Sequence, residues 1–253
     1  MSHRGVLVIT GGGRGIGAAT ARLGAARGYA VVVNYAGNVA AAEQVCRDIH
    51  DAGGVAQAVR GNVADEADVE HIFAAADRLG TLAGLVNNAG TINPASRVEK
   101  MEAACVNRLL AVNVGGAILC TKAAIRRMST SHGGSGGAIV NITSGAAKLG
   151  GAGSYVDYAA SKGAIDTLTV GLALELAAEG IRVNAVRPGI IDTEFHATGG
   201  EPDRAARMAS SVPLGRAGTA DEVARAVLWL LSEEASYTTG TTIDVTGGRA
   251  ITP

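Results

Sequence analysis

Short runs of apolar residues recur along the chain, and longer segments with helical periodicity separate them. The first run, Gly5–Thr10, is continuous in its apolar character instead of alternating with polar residues. Such runs predict strands that are buried on both faces of a parallel sheet. We place the seven strands at Gly5–Thr10, Ala30–Tyr35, Val55–Arg60, Leu82–Val86, Ala138–Thr143, Ile181–Arg187 and Thr241–Thr246.

The segments between the strands carry apolar residues at helical spacing, and several end at glycines. They predict helices over Ala18–Gly28, Ala40–Ala52, Asp65–Leu79, Val98–Met128 with a possible break, Asp157–Glu179, Asp203–Ser210 and Thr219–Leu231. Strand and helix alternate without a linker that would divide the chain. We therefore predict a single α/β domain over residues 1–253, with a seven-stranded parallel sheet and helices on both faces.

Composition narrows the class of protein. Hydrophobic residues make up 47% of the chain, enough for a large core, and the net charge of −1 offers nothing to nucleic acid or an anionic membrane. No apolar run reaches the roughly 18 residues that span a bilayer. Cys46, Cys105 and Cys120 lack metal-ligand or disulfide spacing, so we expect buried thiols in a reducing compartment. The expectation is a soluble cytoplasmic protein without a metal.

A glycine-rich loop follows the first predicted strand. Gly11, Gly15 and Gly17 come directly after Thr10 and before the next helix, which is where a dinucleotide-binding loop lies. Glycines let the backbone turn tightly and approach a pyrophosphate at the helix N-terminus. The spacing differs from G-x-G-x-x-G, and such loops are often only turns, so the prediction depends on the position between strand and helix.

The end of the second strand bears on the choice of cofactor. A carboxylate there holds the ribose hydroxyls of NAD and repels a 2′-phosphate, but this chain has Asn34, Tyr35 and Ala36. Arg14, inside the glycine loop, supplies a cation for a 2′-phosphate. Both features favour NADP(H), and NAD(H) stays possible.

Polar residues and glycines also end the other strands. In an open α/β sheet the ligand crevice lies at the carboxyl ends of the strands, so we expect these residues to share one crevice. They are Asn62, Val63, Asn88, Ala89, Gly90, Ser144, Pro188 and Gly189.

Tyr158 and Lys162 stand four residues apart in a predicted helix, and therefore on one face about a turn apart. A neighbouring ammonium lowers the pKa of a phenol, and a tyrosine tuned in this way can exchange a proton with a substrate oxygen. Taken alone, such a pair is most often a solvated helix face.

The chain resembles the classical short-chain dehydrogenase/reductase family from Gly5 to Gly248. The resemblance rests on an ordered set of motifs: Thr10-Gly-x-x-x-Gly-x-Gly, Asn87-Asn-Ala-Gly90, Asn113, Ser144, Tyr158-x-x-x-Lys162 and Pro188-Gly189. The residues around Arg14 and Asn34 are similar to those of NADP-dependent β-ketoacyl-carrier-protein reductases. The tract that begins at Tyr155 is similar to bacterial glucose 1-dehydrogenase-like proteins.

The resemblance implies a Rossmann fold and a role for each motif. Tyr158 is the acid/base, Lys162 lowers its pKa and binds the nicotinamide ribose, and Ser144 hydrogen-bonds the substrate oxygen. Asn113 holds a water that links Lys162 to solvent. A substrate lid lies at about 190–215, in which Thr193 binds the nicotinamide carboxamide. The other cofactor-binding residues are Gly11, Gly13, Arg14, Gly15, Ile16, Gly17, Asn34, Tyr35, Ala36, Asn62, Val63, Asn88, Ala89, Gly90, Pro188, Gly189 and Ile191, and Tyr155 and His196 are candidates for substrate contact.

Together these features predict an NADP(H)-dependent oxidoreductase that interconverts a carbonyl and a secondary alcohol. We expect a small polar substrate, a sugar or a keto or hydroxy compound, because the lid tract from His196 to Pro202 has no aromatic platform and no basic cluster. Three alternatives stay open: a 3-oxoacyl-carrier-protein reductase-type activity, a non-catalytic NADP-binding sensor, and an epimerase or dehydratase with tightly held NAD. The resemblance also implies a homotetramer, in agreement with two predicted helices that carry more small and apolar residues than one sheet face should bury.

Overall fold

All seven predicted strands are present, each within one residue of its predicted ends. In the computed structural model, which describes residues 4–250, they are β1 (Val6–Ile9), β2 (Ala30–Tyr35), β3 (Val55–Arg60), β4 (Leu82–Asn87), β5 (Gly137–Ile142), β6 (Ile181–Pro188) and β7 (Thr242–Val245). Every pair is parallel, and the order across the sheet is β3-β2-β1-β4-β5-β6-β7. The prediction of one seven-stranded parallel sheet is confirmed.

The helices within residues 4–250 are α1 (Gly15–Ala26), α2 (Val39–Asp51), α3 (Glu66–Leu79), α4 (Ala103–Leu110), α5 (Gly116–Met128), α6 (Ala146–Leu149), α7 (Val156–Leu176), α8 (Phe195–Thr198), α9 (Arg204–Met208) and α10 (Ala220–Leu231). A π-helical turn at Ala111–Gly115 joins α4 to α5 and is the break in the long predicted helix. The single-turn helices α6 and α8 were not predicted, because one turn is too short to show a period. Helix α1 begins before its predicted start, since glycines hide the onset of a helix.

Local sequence determines several helix ends, as expected. The Asp65 side chain accepts hydrogen bonds from the backbone N–H groups of Ala67 and Asp68 and so caps α3. Thr219 and Glu222 form a reciprocal capping box at the start of α10. Gly180 adopts a φ of +74° after α7, a left-handed conformation that glycine takes at low cost.

The central strands are buried on both faces. Leu7 and Ile9 pack with α1, α2 and α10 on one side of the sheet, and Val6 and Val8 pack with α3, α5 and α7 on the other. All four residues are at most 1% exposed. Burial on both sides explains why the sequence of β1, Val6–Ile9, lacks polar alternation.

The helical run Ala103–Met128 corrects one expectation. It is long and apolar enough to cross a membrane by length and composition, with a mean hydropathy of 1.6. The sequence does not show this as an uninterrupted apolar run, because Arg108 and small polar residues lie within it. Within the fold, α5 packs Cys120, Ala124 and Met128 against the sheet. Only 28% of its most apolar window is buried inside the monomer, so much of the apolar surface faces outward.

Candidate active site

The crevice lies where the sheet order reverses, between the carboxyl ends of β1 and β4. Thr10 and Asn88 hold these two ends together. The Thr10 hydroxyl accepts hydrogen bonds from the backbone N–H groups of Asn88 and Ala89, both at 3.0 Å. The Asn88 side-chain amide donates to the carbonyl oxygens of Thr10 and Gly11 at 2.9 and 3.0 Å. These bonds make the floor of the crevice a fixed surface.

A cavity of about 620 Å³ occupies this crevice. Of all the predicted site residues, only Gly17 and Asn113 do not line it. Those that line it are Gly11, Gly13, Arg14, Gly15, Ile16, Asn34, Tyr35, Ala36, Asn62, Val63, Asn88, Ala89, Gly90, Ser144, Tyr155, Tyr158, Lys162, Pro188, Gly189, Ile191, Thr193 and His196. Residues that are far apart in sequence therefore meet around one space.

The glycine loop has the shape of a phosphate cradle. Gly11 and Gly15 have φ values of +62° and +50°, which side chains rarely tolerate. A Cβ atom on Gly17 would lie 2.4 Å from the carbonyl oxygen of Gly11, so Gly17 allows the loop to fold onto the first turn of α1. The N–H groups of that turn lie beside the cavity. These residues fit the pyrophosphate of a dinucleotide.

The Asn34 side chain, which we predicted to bind the cofactor, instead bonds the backbone of its own chain. Its amide donates to the carbonyl oxygens of Val59 and Gly61 at 3.3 and 2.9 Å, and its oxygen accepts from the N–H of Gly11 at 3.3 Å. Only 2% of the residue is exposed, so the side chain is not available to a ribose hydroxyl. Asn34 holds the glycine loop against β3, and the more exposed Tyr35 takes its place beside the cavity.

Arg14 is an exposed residue at the edge of the same cavity. No ion pair or hydrogen bond engages its guanidinium within residues 4–250. Among residues 4–250, Glu194 is the only residue with a carboxylate that lines the cavity. The Arg14 guanidinium is therefore available to bind a negatively charged group of a ligand.

Tyr158 and Lys162 lie one turn apart in α7, as predicted. The ammonium of Lys162 is 5.8 Å from the centre of the Tyr158 ring and donates to the carbonyl oxygen of Ile142 at 2.7 Å. Burial raises the pKa of Tyr158 to about 12, against a smaller lowering by a hydrogen bond with Ser144. Burial also lowers the pKa of Lys162 to about 8, against the opposing charge of Asp166.

These directions differ from the expectation that Lys162 lowers the pKa of Tyr158. Both side chains are buried in the wall of the cavity, and loss of their own hydration disfavours the charged form of each. The ammonium is also engaged by a backbone carbonyl. The electrostatic effect of Lys162 on the phenol is therefore smaller than the effect of burial.

Asn113 lies in the π-helical turn between α4 and α5, a kind of distortion that often occurs at functional sites. Its side chain bonds both backbone groups of Thr91, at 2.7 and 2.9 Å, and the hydroxyl of Ser161 at 3.1 Å. A Cβ atom on Gly90 would lie 3.4 Å from the Asn113 side-chain oxygen and 3.6 Å from the Lys162 ammonium. Asn113 is thus near Lys162 but behind the cavity wall, as a positioning residue.

The segment 190–215 covers the far end of the cavity. Phe195 lies with its ring centre 5.9 Å from that of Tyr158. His196 bonds the carbonyl oxygen of Ile191 at 3.2 Å, and its pKa is lowered, first by burial and then by Arg204. The Tyr155 hydroxyl donates to Glu201. His196 and Tyr155 therefore both line the cavity, with the Tyr155 hydroxyl and one of the two His196 ring nitrogens already engaged.

The tract from His196 to Pro202 has no aromatic platform and no basic cluster, but the residues on either side of it change the character of the lid. Phe195 immediately precedes this tract, and Arg204 follows it. The Arg204 guanidinium lies 4.9 Å from the centre of the Tyr155 ring and lines the cavity, as does Arg249 near the end of the chain. Phe195 could have been singled out as one of only two phenylalanines in the sequence. No local pattern marks Arg204 or Arg249.

Known proteins match this chain along nearly its whole length. The family model described as enoyl-(acyl carrier protein) reductase matches residues 11–250. The chain belongs to the classical short-chain dehydrogenase/reductase family. It is 54% identical over 245 residues to the uncharacterized oxidoreductase YgfF of Escherichia coli (strain K12), covering 96% of this chain and 99% of that one.

A second relative and a solved structure, both dehydrogenases, agree with this family assignment. The cis-4-hydroxycyclohexanecarboxylate dehydrogenase of Sinomonas cyclohexanicum is 42% identical over 96% of this chain and 95% of its own. The crystal structure of a dehydrogenase/reductase from Sinorhizobium meliloti 1021 superposes with a TM-score of 0.90 at 32% identity, covering 99% of this chain and 96% of that one. As a short-chain dehydrogenase/reductase, the protein is an oxidoreductase with a nicotinamide cofactor that acts on alcohol or ketone substrates.

Proposed function

We propose that this short-chain dehydrogenase/reductase uses NADP(H) to interconvert a carbonyl and a secondary alcohol, with Tyr158 as the acid/base. One observation carries the proposal: Tyr158, Ser144 and Lys162 line the same cavity as the glycine loop. A dinucleotide on that loop can therefore extend its reactive end to the tyrosine.

The proposed chemistry follows from charge. The bound cofactor supplies or accepts the hydride at the substrate carbon. In reduction, negative charge develops on the substrate oxygen, where preorganised donors are most effective. The Ser144 hydroxyl donates a hydrogen bond, and the Tyr158 hydroxyl gives up its proton. Lys162 stabilises the phenolate that remains. The proton is replaced through a water beside Asn113, whose side chain holds Thr91 and Ser161 in position.

The preference for NADP(H) is supported by two features of the cavity. Arg14 is free to bind a 2′-phosphate, and an arginine–phosphate contact is charge-assisted and can be bidentate. Residues 34–38, Asn-Tyr-Ala-Gly-Asn, contain no carboxylate that would repel the phosphate or hold the ribose of NAD. We assign this part of the site to Arg14, Tyr35 and Ala36. Asn34 supports it from behind.

The proposed substrate is a small hydroxy or keto compound. Phe195 next to Tyr158 supplies an apolar surface beside the reacting group, which suits a short hydrocarbon body better than a sugar. The segment 190–215 acts as its lid. The relative from Sinomonas cyclohexanicum, named for a hydroxy carboxylate, agrees with this substrate class.

The assembly proposed is a homotetramer of a cytoplasmic protein. Leu110, Ile118, Val170 and Leu174 are exposed apolar residues on α4, α5 and α7, and two-fold contacts between copies would bury them. All three cysteines are free thiols, which agrees with a reducing compartment.

The experiment is a panel of secondary alcohols and ketones followed at the absorbance of reduced nicotinamide, with NADP and NAD in parallel. We expect turnover with NADP, lowered at least about a hundredfold for the Tyr158→Phe variant in the same wells. Near-normal turnover of the variant would remove Tyr158 from its role. Faster turnover with NAD would reverse the assignment of cofactor.

A further inference from the structure

We infer that the substrate carries an anionic group, a carboxylate, which Arg249 binds at the end of the cavity beside Arg204. This inference rests on the proposed carbonyl/alcohol activity and names a substrate class for that site. It concerns a separate position from Arg14, which lies in the glycine loop.

Arg249 lies at the substrate end of the cavity. The next residue, Ala250, packs against Gly145, where an added Cβ atom would be 3.4 Å from the Ala250 Cβ. Gly145 follows Ser144, whose hydroxyl bonds Tyr158. The chain thus brings Arg249 to the neighbourhood of the reacting groups, and its side chain lines the cavity.

Two arginines, Arg204 and Arg249, line this end of the cavity, and Glu194 of the lid is the one carboxylate among the lining residues within 4–250. Arg204 is already paired with Glu201 at 2.9 Å. Arg249 has only a neutral partner within residues 4–250, the hydroxyl of Ser211 at 2.7 Å. A partly exposed guanidinium in the wall of a cavity, with no carboxylate bound to it within residues 4–250, is available to an anionic ligand.

The two arginines also act on each other. The pKa of Arg249 lies below its usual value, first because of burial and second because of the positive charge of Arg204. An anion between or beside the guanidinium groups relieves both effects. A neutral substrate relieves neither.

The geometry of Arg249 leaves room for a bidentate contact. A guanidinium has five N–H donors, and the bond to Ser211 uses one terminal nitrogen, Nη1. The edge formed by Nε and Nη2 has no partner within residues 4–250 and matches the two oxygens of a carboxylate. Ser211 belongs to the lid, and Leu214 of the lid donates its N–H to the carbonyl oxygen of Gly247 at 3.1 Å. Arg249 therefore joins the lid to the C-terminal segment where a substrate end group would lie.

The test compares secondary alcohols that differ only in charge. A hydroxycyclohexane carboxylate and its primary amide form one pair, and 3-hydroxybutanoate and its amide form another; each is oxidised with NADP. We expect kcat/KM to be about ten- to a hundredfold higher for the carboxylate, the usual effect of a charge-assisted contact. Arg249→Gln should remove that preference by raising KM for the carboxylate, with the amide nearly unchanged.

The matched control is Arg207→Gln. Arg207 lies in α9 beside Arg204 and pairs with Glu201, but its side chain is 59% exposed and does not line the cavity. We expect it to keep the carboxylate preference. An amide that the unmodified enzyme oxidises as well as the carboxylate would overturn the inference, as would a preference that survives in Arg249→Gln.

A third pair separates the carboxylate from a phosphate on a carrier arm. It consists of acetoacetyl-coenzyme A and the acetoacetyl thioester of N-acetylcysteamine, which lacks phosphate. If Arg249→Gln loses activity only toward the coenzyme A thioester, Arg249 binds a phosphate, and the inference of a substrate carboxylate is overturned.

Calorimetry distinguishes this inference from the proposed function. Cyclohexanecarboxylate and cyclohexanecarboxamide are each titrated into the NADP-saturated enzyme and into Arg249→Gln. Absence of turnover in every pair would contradict the proposed activity, while tighter carboxylate binding that depends on Arg249 would still support the inference. Equal binding of the acid and the amide would overturn it.

Discussion

The Lys162 ammonium donates to the Ile142 carbonyl oxygen at 2.7 Å while it lies 5.8 Å from the centre of the Tyr158 ring. The lysine is therefore held by the backbone at the end of β5, beside the phenol that it is proposed to assist. Burial shifts the pKa of Lys162 to about 8 and that of Tyr158 to about 12. As pH rises, Lys162 is therefore expected to lose its proton before Tyr158 does.

That order predicts opposite pH profiles for the two directions of reaction. Carbonyl reduction needs a neutral Tyr158 and a charged Lys162, and the charge on Lys162 is lost as pH rises through about 8. We expect kcat/KM for reduction to be level below that pH and to fall about tenfold per unit above it. Alcohol oxidation needs the phenolate, so its kcat/KM should rise to about the same pH and then level off, because gain of phenolate and loss of ammonium cancel.

The measurement is kcat/KM in both directions at constant ionic strength, with enzyme stability checked at each pH. A reduction rate that stays level well above pH 8 would show that Lys162 remains charged in the working enzyme or does not assist Tyr158.

Removal of the Tyr158 hydroxyl should separate catalysis from binding. We expect Tyr158→Phe to lower turnover at least about a hundredfold, the scale of a general acid/base, and to leave the Kd of NADP(H) nearly unchanged, because the aromatic ring is kept. Tyr237→Phe is the control, since Tyr237 is fully exposed on the surface. A loss of cofactor binding equal to the loss of turnover would indicate a structural role for Tyr158.

The orientation of Asn34 is a feature of the site that the sequence could not predict, although the strands and the crevice could be. Short apolar runs located the strands, even though polar residues interrupt β3, β6 and β7, and strand ends located the crevice, because both follow from local pattern and parallel topology. Neighbouring residues on a strand point to opposite faces, so one of Asn34 and Tyr35 had to turn away from the ligand. Which one does so depends on the pairing of β2 with β3 and on the position of the glycine loop, and no local pattern contains that information.

The substrate end was the least predictable part for a similar reason. Phe195, Arg204 and Arg249 come from α8, α9 and the C-terminal segment, and they meet only because the chain folds back over Tyr158. None belongs to a motif with fixed spacing. Tyr158 and Lys162 were predictable because a single helix holds both.

The buried Asn34 amide predicts that a carboxylate at this position destabilises the fold. Asn34→Asp replaces a donor to the Val59 and Gly61 carbonyl oxygens by a second acceptor, in a residue that is 2% exposed. We expect a loss of roughly 2–4 kcal/mol in the free energy of unfolding at neutral pH, measured by denaturant titration. Asn38→Asp is the matched control, because Asn38 caps α2 through its side-chain oxygen and aspartate caps equally well. Equal stability of the two variants would contradict the role assigned to Asn34.

The exposed apolar residues of α7 predict the effect of a charge on assembly. Leu174 is 80% exposed in the monomer, and Leu174→Asp should dissociate the proposed tetramer, since burial of an unpaired carboxylate at an interface is unfavourable. Light scattering at micromolar concentration measures the mass. Val39→Asp, on the exposed side of α2, should leave the mass unchanged. A monomeric mass for the unmodified protein would contradict the assembly itself.

The last prediction concerns Arg14 and the choice between NADP(H) and NAD(H). An arginine–phosphate contact of about 1.5–3 kcal/mol corresponds to roughly ten- to over a hundredfold in affinity. Arg14→Ala should therefore raise the Kd of NADP(H) by that factor and leave the Kd of NAD(H) within about twofold, because only NADP carries the 2′-phosphate. Arg22→Ala, in α1 and paired with Asp48 at 2.8 Å, is the control and should change neither. Tyr35→Asp should shift the preference toward NAD(H), because it places at the cavity the carboxylate that Asn34 cannot. An equal loss for both cofactors in Arg14→Ala would mean that the arginine shapes the loop, and no loss for either would mean that it does not contact the cofactor.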